Sequence, residues 1–334
     1  MNPGNLSDTL PKLLCRNARE HRDEVALREK EFGVWRSITW GEYEARTRAF
    51  ALGLRTLGIG AGDVVGLIGD NRPDWVMGEI AAHAIGARSL GIYRDALEDE
   101  AAYLLEFCGA KAVLAEDEEQ VDKLLNISDR VPTLRHIVYS DPRGMRKYSD
   151  PRLLPASELV KRGEAAHEAE PAAWGRLVDA TRGEEVAILC TTSGTTARPK
   201  IVPLTHGNVT ASARSIARTL ELSPDDACLN VMPLFHIHGL MAATLASLAG
   251  GGSVICTPGF NALRFFGWLD AEKPTWYTAV PTMHQAILAR AERNKEIIER
   301  AKLRFLRSSS ASLPAQVMRD LEAAFGAPVI EAYG

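Results

Sequence analysis

A run of small, mostly hydroxyl-bearing residues follows an apolar stretch near the middle of the sequence. The run consists of Thr191, Thr192, Ser193, Gly194, Thr195 and Thr196. Hydroxyl groups and consecutive backbone N–H groups can donate to phosphate oxygens, and a glycine lets the backbone approach an anion closely. Lys200, which follows Pro199, adds a positive charge that can face a triphosphate. The residue types and their spacing therefore predict a loop that binds the phosphates of a nucleotide.

This loop differs from the common Walker A loop, in which the lysine directly follows a glycine and opens a helix. Its many hydroxyl groups favour a loop that binds the departing phosphates over a loop that surrounds a nucleotide which stays bound. Two alternatives stay open at this point. One is a serine- and threonine-rich turn that binds nothing, and the other is a kinase or transferase loop that serves γ-phosphate transfer and yields ADP.

The elements that must position this loop alternate between short β-branched runs and amphipathic helical stretches. Such alternation predicts an α/β fold with two mixed, mostly parallel sheets layered with helices. We predict two domains, residues 1–182 and residues 183–334, the second of which carries the loop. Within the first, residues from about 141 onward are polar and contain prolines without a clear period, so we expect a connecting segment there.

Composition narrows the class of protein. The chain has 334 residues and a net charge of −4, which gives no general attraction to nucleic acid or to an anionic membrane. Its five cysteines are scattered among apolar residues, as is typical of reduced core thiols. No basic region leads into an apolar run at the N-terminus, and the longest apolar region is broken by glycines. We expect a cytoplasmic protein without an integral membrane segment; its oligomeric state is not predicted.

Four passages in register resemble the adenylate-forming (AMP-binding) enzymes, namely acyl-CoA synthetases, peptide-synthetase adenylation domains and beetle luciferases. The first is "TTSGTTARPK", the loop described above. The others are "VMPLFHIHGL" at 231–240, "LRFLRSSSASLP" at 303–314 and "GAPVIEAYG" at 326–334. The resemblance extends over essentially the whole chain, and it implies the large N-terminal domain of such an enzyme.

The resemblance also implies roles for individual residues. Thr192, Ser193, Gly194, Thr195, Thr196 and Lys200 would bind the phosphates of ATP, with Lys200 and Thr195 as the catalytic pair. Glu331 and Ala332 would flank the adenine, and Tyr333 would stack on it. The substrate pocket would be bordered by His236, His238, Ser309, Ser310 and Ala311. No metal ligand is predicted within the chain.

The sequence departs from the family pattern at three places. Ala197 and Ile201 stand where the family usually has glycine, and a Cβ at each position restricts the backbone of the loop. The family motif continues beyond Gly334 with a threonine and a glutamate that contact phosphate and magnesium. By this comparison the chain is truncated: the β-barrel subdomain and the C-terminal lid would be absent, and the chain alone would not be a competent catalyst.

The activity implied by the resemblance is that of an ATP-dependent carboxylic acid–CoA ligase, an acyl-CoA synthetase that forms an acyl-adenylate and pyrophosphate and then the acyl-CoA. Its cofactors would be ATP, Mg²⁺ and coenzyme A, and its partner a small carboxylic acid. The alternative is a non-catalytic truncated or chimeric fragment with at most nucleotide binding. The N-terminal half resembles long-chain fatty acid–CoA ligases and the second half oxalate-type acid–CoA ligases, so acyl length is not predicted.

Three other features carry weaker hypotheses. Glycines at Gly58–Gly66 mimic a dinucleotide fingerprint, but they precede their strand, which is the wrong side for a pyrophosphate. His236 and His238 form an H-x-H pair without a third ligand nearby in sequence. Cys190 directly precedes the loop, but its apolar strand neighbours indicate a structural thiol instead of a nucleophile.

Overall fold

A computed structural model describes residues 8–192 and 199–333. The backbone contacts divide the chain into two compact units. The first unit comprises residues 1–23 and 39–211, and the second comprises residues 24–38 and 212–334. The predicted boundary at residues 182 and 183 differs from this partition by contacts, because residues 24–38 and 183–211 each fall in the other unit. As a statement about domains, that boundary stays a prediction.

The described residues form helices and strands in near-regular alternation. The helices are α1 (Leu10–Glu20), α2 (Trp40–Thr56), α3 (Pro73–Ala84), α4 (Glu98–Cys108), α5 (Glu118–Asn126), α6 (Ala156–Ala169), α7 (Ala173–Ala180), α8 (His206–Thr219), α9 (Ala246–Gly250), α10 (Phe265–Glu272), α11 (Pro281–Leu288), α12 (Lys295–Arg300) and α13 (Ala315–Phe325), with a π-helix at His238–Leu245. The strands are β1 (Val25–Glu31), β2 (Val34–Thr39), β3 (Val64–Ile68), β4 (Arg88–Ile92), β5 (Ala110–Ala115), β6 (His136–Tyr139), β7 (Leu153–Pro155), β8 (Val186–Thr192), β9 (Lys200–Thr205), β10 (Ala227–Asn230), β11 (Ser253–Cys256), β12 (Trp276–Ala279), β13 (Phe305–Ser308) and β14 (Val329–Glu331).

The sheet of the first unit has seven strands in the order β7-β6-β5-β3-β4-β8-β9. Its strands pair in parallel from β7 to β8, and β9 closes the edge antiparallel to β8. All five residues of β3 are buried, as expected for a central parallel strand covered on both faces. The sheet thus holds the residues on either side of the predicted phosphate loop at its β9 edge.

The sheet of the second unit also has seven strands, in the order β14-β13-β12-β10-β11-β1-β2. The pairs from β14 through β11 to β1 are all parallel. One face packs an apolar core that includes Phe265, Tyr277 and Leu306. The carboxyl ends of β10, β12 and β13 lie at one edge, where ligands usually bind in open α/β sheets. The prediction of two mixed, mostly parallel sheets layered with helices is confirmed.

Local sequence signals explain where several helices begin. The Thr39 hydroxyl accepts from the backbone N–H of Glu42 at 3.2 Å while the Glu42 carboxylate accepts from the N–H of Thr39 at 2.8 Å, which is a capping box. Pro73 and Pro281 open α3 and α11, where the missing N–H costs no helical hydrogen bond. These signals fix the ends of helices that cover the sheets.

The structure differs from the expected irregular connection over residues 141–182. This segment contributes the edge strand β7 and the helices α6 and α7 to the first unit. Its helical signal is weak because the buried face of α6 consists of Ala156, Leu159 and Gly163, two of which are small. The sequence analysis did not predict β9 either, since Pro203 and exposed positions interrupt its apolar pattern. Proline is tolerated there because β9 is an edge strand.

A buried carboxyl lies inside the first unit. Glu79 on α3 is 1% exposed, and one of its oxygens accepts from the Ser89 hydroxyl at 3.1 Å. The other oxygen is buried without a hydrogen-bond partner in the described part of the chain. Burial raises the pKa of Glu79 to about 8, because the charged form is poorly solvated there. Glu79 is therefore protonated at neutral pH.

We expect Glu79→Gln to stabilise the chain at pH 9 and to change its stability little at pH 5. The folded carboxyl keeps its proton up to about pH 8, whereas in the unfolded chain it ionises near 4.5. Its contribution to the free energy of unfolding is therefore fully present below pH 4.5 and is lost as the pH rises through 8. Glutamine avoids this loss, so urea unfolding should give a gain of roughly 1–3 kcal/mol at pH 9.

The exposed Glu106 on α4 supplies the matched control. Glu106→Gln makes the same chemical change in contact with water, so its effect should be small and equal at both pH values. An equal effect of Glu79→Gln at pH 5 and pH 9 would contradict the buried, protonated state of this carboxyl.

Candidate functional site

The predicted phosphate loop connects the antiparallel strands β8 and β9. Thr192 pairs with Lys200 and Thr191 with Ile201 in the register of this hairpin. Ser193, Gly194, Thr195, Thr196 and Ala197 lie outside the described residues, so only the two ends of the loop are located. The pairing of Thr192 with Lys200 brings the first and last residues of the predicted phosphate-binding set together, and both are exposed.

The surrounding sequence explains this local geometry. Residues Ala187–Leu189 of β8 are buried, and β8 pairs in parallel with β4, which ties one arm of the hairpin into the sheet. The other arm ends at Thr205, whose hydroxyl accepts from the backbone N–H of Asn208 at 3.2 Å and caps α8. The start of β8 and the end of β9 are thus held in place by the sheet and by the cap of α8.

The second predicted group lies in the second unit and is centred on His238. Its Nε2 lies 2.6 Å from the Thr278 hydroxyl, and its Nδ1 lies 3.0 Å from the Ser310 hydroxyl. The Ser309 hydroxyl lies 3.2 Å from each ring nitrogen. Of the predicted pocket residues, the structure therefore joins His238, Ser309 and Ser310 directly by hydrogen bonds.

The His238 ring is neutral at physiological pH. The side chain is buried, and this burial, followed by the positive charge of Arg307, lowers the pKa of His238 to about 3. A neutral imidazole donates from one nitrogen and accepts at the other, which suits a ring placed between hydroxyl groups. Its role is therefore to orient hydroxyl groups at the carboxyl edge of the sheet, without carrying charge.

The rim of this cluster is exposed. His236 precedes the π-helix, and its Nδ1 accepts from the backbone N–H of His238 at 3.2 Å. Ser310 and Ala311 are exposed in the turn after β13. Ser310 has a φ of 75°, a left-handed conformation that is uncommon for serine and concentrates at functional sites. This turn directs the Ser310 hydroxyl back to His238.

The third predicted group follows β14. The carboxylate of Glu331 accepts from the backbone N–H of Leu313 at 2.7 Å, and the N–H of Ala332 donates to the carbonyl of Ser308 at 2.9 Å. These bonds connect the end of β14 with the turn after β13. Tyr333 is fully exposed, so its ring is available for stacking on a flat ligand. The Glu331 carboxylate thereby holds the turn of residues 309–313 in place.

Two members of the His238 cluster were not predicted from the sequence. Thr278 at β12 and Arg307 at β13 are register partners, and Nη1 of Arg307 donates to the Thr278 and Ser309 hydroxyls at 3.3 Å each. Both residues stand inside strands, where side chains usually belong to the core. The available signal was the arginine in "RFLRSSS", since a charged residue within a buried parallel strand needs an explanation.

The weaker hypotheses are not supported by the geometry. Burial raises the pKa of the Cys190 thiol, so it is protonated and a poor nucleophile. Within residues 8–192 and 199–333, no three histidine, cysteine or acidic side chains are arranged to hold a metal ion. Of the glycines of 58–66, Gly58, Gly60 and Gly62 precede β3 and Gly66 lies within it, so none follows the strand. None of the helices in the described ranges combines the length and apolar character that a membrane-spanning segment needs.

Comparison with known proteins decides the family. A sequence profile described as "AMP-binding enzyme" matches residues 14–334, which is nearly the whole chain. The chain belongs to the AMP-binding enzyme family. The resemblance inferred from the four sequence passages is thus confirmed.

Relatives within the AMP-binding family are named as CoA ligases. The chain is 35% identical over 337 residues to an oxalate–CoA ligase of Arabidopsis thaliana, covering 98% of this chain and 60% of that protein. It is 26% identical over 279 residues to the long-chain-fatty-acid–CoA ligase ACSBG2 of Xenopus laevis, covering 82% of this chain and 37% of the relative. The chain therefore spans about 60% of the length of the first relative and less of the second.

A third relative matches a shorter part of the chain. The sulfoacetate–CoA ligase of Cupriavidus necator is 41% identical over 150 residues, or 44% of this chain and 28% of that protein. Among solved structures, the anthranilate CoA ligase AuaEII in complex with anthranoyl-AMP superposes with a TM-score of 0.80 at 22% identity, covering 98% of this chain and 60% of that one. At this identity the likeness shows that the fold of the AMP-binding family is shared.

Proposed function

We propose that this chain is the acid- and ATP-binding part of an ATP-dependent carboxylic acid–CoA ligase. The observation that carries the proposal is the match of residues 14–334 to the AMP-binding enzyme family, in which the relatives described above are named as CoA ligases. Because the chain spans about 60% of its first relative, the activity of the whole protein is part of the proposal.

The proposed reaction has two steps. A carboxylate oxygen of the acid attacks the α-phosphorus of ATP, an acyl–adenylate bond forms, and the bond to pyrophosphate breaks. The thiol sulfur of coenzyme A then attacks the acyl carbon, and AMP leaves. Neither step needs a side-chain nucleophile, so the contribution of the protein to the first step is alignment and stabilisation of negative charge.

The hairpin of β8 and β9 supports the phosphate-binding part of the proposal. Thr192 and Lys200 are paired and exposed at the ends of the loop, so a cationic side chain and hydroxyl groups are presented together. Charge-assisted hydrogen bonds from lysine to phosphate oxygens are about twice as strong as neutral ones. We assign Lys200 and Thr195 to the departing pyrophosphate and Thr192–Thr196 to the phosphates in general.

The residues of the second unit support the acid- and adenine-binding parts. His236, His238, Ser309, Ser310 and Ala311 are assigned to the acid. The first four are linked by hydrogen bonds around His238, and Ala311 is exposed at the rim of this cluster. Tyr333 is assigned to the adenine ring, with Glu331 and Ala332 holding the adjoining turn. The exposed aromatic ring of Tyr333 offers a face for stacking.

Magnesium is expected to accompany ATP, since phosphate oxygens are its preferred ligands. It would supply positive charge against the triphosphate beside Lys200, which is a cation and therefore contacts phosphate oxygens and not the metal. Coenzyme A is proposed as the acceptor thiol. A cytoplasmic location without a nucleic-acid partner is proposed from the net charge of −4 and from the five cysteines, which are scattered among apolar residues.

Pyrophosphate exchange tests the proposal. The purified chain is incubated with ATP, radiolabelled pyrophosphate and a panel of carboxylic acids, and ATP binding is measured in parallel by calorimetry. We expect ATP binding, and acid-dependent exchange with AMP as the nucleotide product. ATP binding without exchange would support the alternative, in which these residues bind nucleotide without catalysis. Formation of ADP would indicate a kinase or transferase, and absence of ATP binding would contradict the proposal.

A further inference from the structure

Arg307 is a buried cation without an acidic partner. The residue is 7% exposed, and the only hydrogen bonds of its guanidinium run from Nη1 to two hydroxyls, those of Thr278 and Ser309, within the described residues. No aspartate or glutamate of the described residues forms an ion pair with it. By contrast, Arg304 three residues earlier pairs with Asp226 at 2.7 Å. An unpaired buried charge is strongly unfavourable, so this position calls for an explanation.

The electrostatics point to a missing negative charge. Burial lowers the pKa of Arg307, as it does for a cation that has no nearby carboxylate. Arginine nevertheless stays protonated under all ordinary conditions. The neighbouring His238 is neutral, because burial lowers its pKa to about 3, and an imidazole carries no negative charge that could compensate the guanidinium. An anion bound beside the guanidinium would compensate this positive charge.

The place of Arg307 connects it with the acid-binding residues. It lies near the carboxyl end of the buried strand β13, in register with Thr278 on β12, at the carboxyl edge of the sheet. The Ser309 hydroxyl bonds to both Arg307 and His238, so one hydroxyl separates the guanidinium from the predicted pocket. The immediate surroundings are polar, whereas a long alkyl chain would need an apolar lining.

We propose that Arg307 binds the second anionic group of a short dianionic acid, whose other carboxylate is the one that reacts with ATP. This inference rests on the proposed ligase function and deepens it by naming the substrate class. Arginine suits this role because its planar donors match a carboxylate in two parallel hydrogen bonds. The reacting carboxylate is a less suitable partner, because pairing with a buried guanidinium would lower its nucleophilicity.

Direct binding of acids tests the proposal without requiring turnover. Binding of oxalate, malonate and acetate to the chain is measured by calorimetry at constant ionic strength, with and without a non-hydrolysable ATP analogue. The two diacids should bind at least tenfold more tightly than acetate. Arg307→Met should weaken diacid binding at least tenfold and leave acetate binding within about threefold, as expected for loss of one charge-assisted contact. Arg307→Lys should restore part of the diacid affinity.

Two further measurements separate this role from a structural one. Arg319→Met removes an exposed arginine of α13 and should leave diacid binding unchanged, which controls for net charge. Thermal unfolding without ligand should show that Arg307→Met is at least as stable as the original chain, because it removes an uncompensated buried charge. A marked fall in the unfolding midpoint, with diacid affinity retained, would assign Arg307 to structure and overturn the proposal.

ATP binding is measured in the same samples. Unchanged diacid binding in Arg307→Met, or a wild-type preference for acetate, would overturn the inference while ATP binding still supports the ligase function. Loss of ATP binding by every variant and the original chain would instead contradict the proposed function.

Discussion

Replacing Gly163 with alanine is expected to destabilise the chain by about 3 kcal/mol, the upper part of the range for overpacked interiors. Gly163 lies in α6, where this helix packs against α2 within the first unit. A Cβ at this position would lie 1.8 Å from the carbonyl oxygen of Ala49 and 2.6 Å from its carbonyl carbon. Both are backbone atoms of α2, so no side-chain rotation relieves the overlap and the helices must separate.

Helix α2 also contributes a glycine to its contact with α6. A Cβ on Gly53 of α2 would lie 2.4 Å from the carbonyl oxygen of Leu159 on α6. Two glycines thus allow the two helix backbones to approach closely. Separating them would open gaps among buried side chains, and the lost contacts add to the cost.

Gly175→Ala is the matched control for Gly163→Ala. Gly175 lies in α7, is exposed, and a Cβ there would meet nothing within 4 Å. Alanine in a helix is favoured over glycine by roughly 0.5–1 kcal/mol, so this variant should be slightly more stable. Urea unfolding of the two variants should therefore give shifts of opposite sign. A neutral Gly163→Ala variant would contradict the close packing of α2 and α6.

Replacing Lys200 with alanine is expected to weaken ATP binding by about 10- to 100-fold. A charge-assisted hydrogen bond to phosphate contributes about 1.5–3 kcal/mol, which corresponds to such a factor. Because the side chain is exposed, its removal should change the free energy of unfolding by less than about 0.5 kcal/mol. Adding Thr195→Ala should weaken ATP binding further. Calorimetric titration of the chain with ATP and magnesium measures the effect.

Lys161→Ala controls for the loss of one positive charge. Lys161 is an exposed residue of α6 in the first unit, and its removal should leave ATP affinity within twofold. Lys200→Arg should keep part of the affinity, since the charge is retained with a different geometry. If Lys200→Ala binds ATP as tightly as the Lys161→Ala control, Lys200 has no role in binding phosphate.

Elements with strong periodic or apolar signals were predictable from the sequence. β3 is a continuous apolar run between turn residues, and it is the buried centre of its sheet. α2 begins at "TWGE", a sequence pattern typical of the capping box that the structure contains. In these segments local propensity and tertiary packing favour the same conformation, so the secondary structure can be predicted from a single sequence.

Elements whose signal depends on tertiary contacts were missed. The strand β1, "VALREKE", is half charged, yet it pairs in parallel with β11 through Leu27, Arg28 and Glu29. The helix α6 owes its packing to Gly163, a residue that disfavours helices in isolation. The residues "HGLMAATL" at His238–Leu245 form a π-helix. Its wider turn is a local irregularity of the kind found at functional sites.

The candidate site was predictable as a set of motifs, but its connections were not. Sequence motifs identified His238, Ser309 and Ser310, while the hydrogen bonds that join them required the register of β12 and β13. Thr278 and Arg307 were missed because strand residues are usually assigned to the core. A charged residue inside a buried strand is the signal that could have directed attention to them.

A structure of the chain with a non-hydrolysable ATP analogue tests the central claim most directly, namely that the loop between β8 and β9 binds the phosphates of ATP. We predict that the β- and γ-phosphates lie within about 3 Å of Lys200 Nζ and of hydroxyl or backbone N–H donors at 192–196. A triphosphate bound elsewhere on the protein, with Lys200 pointing into solvent, would contradict the account.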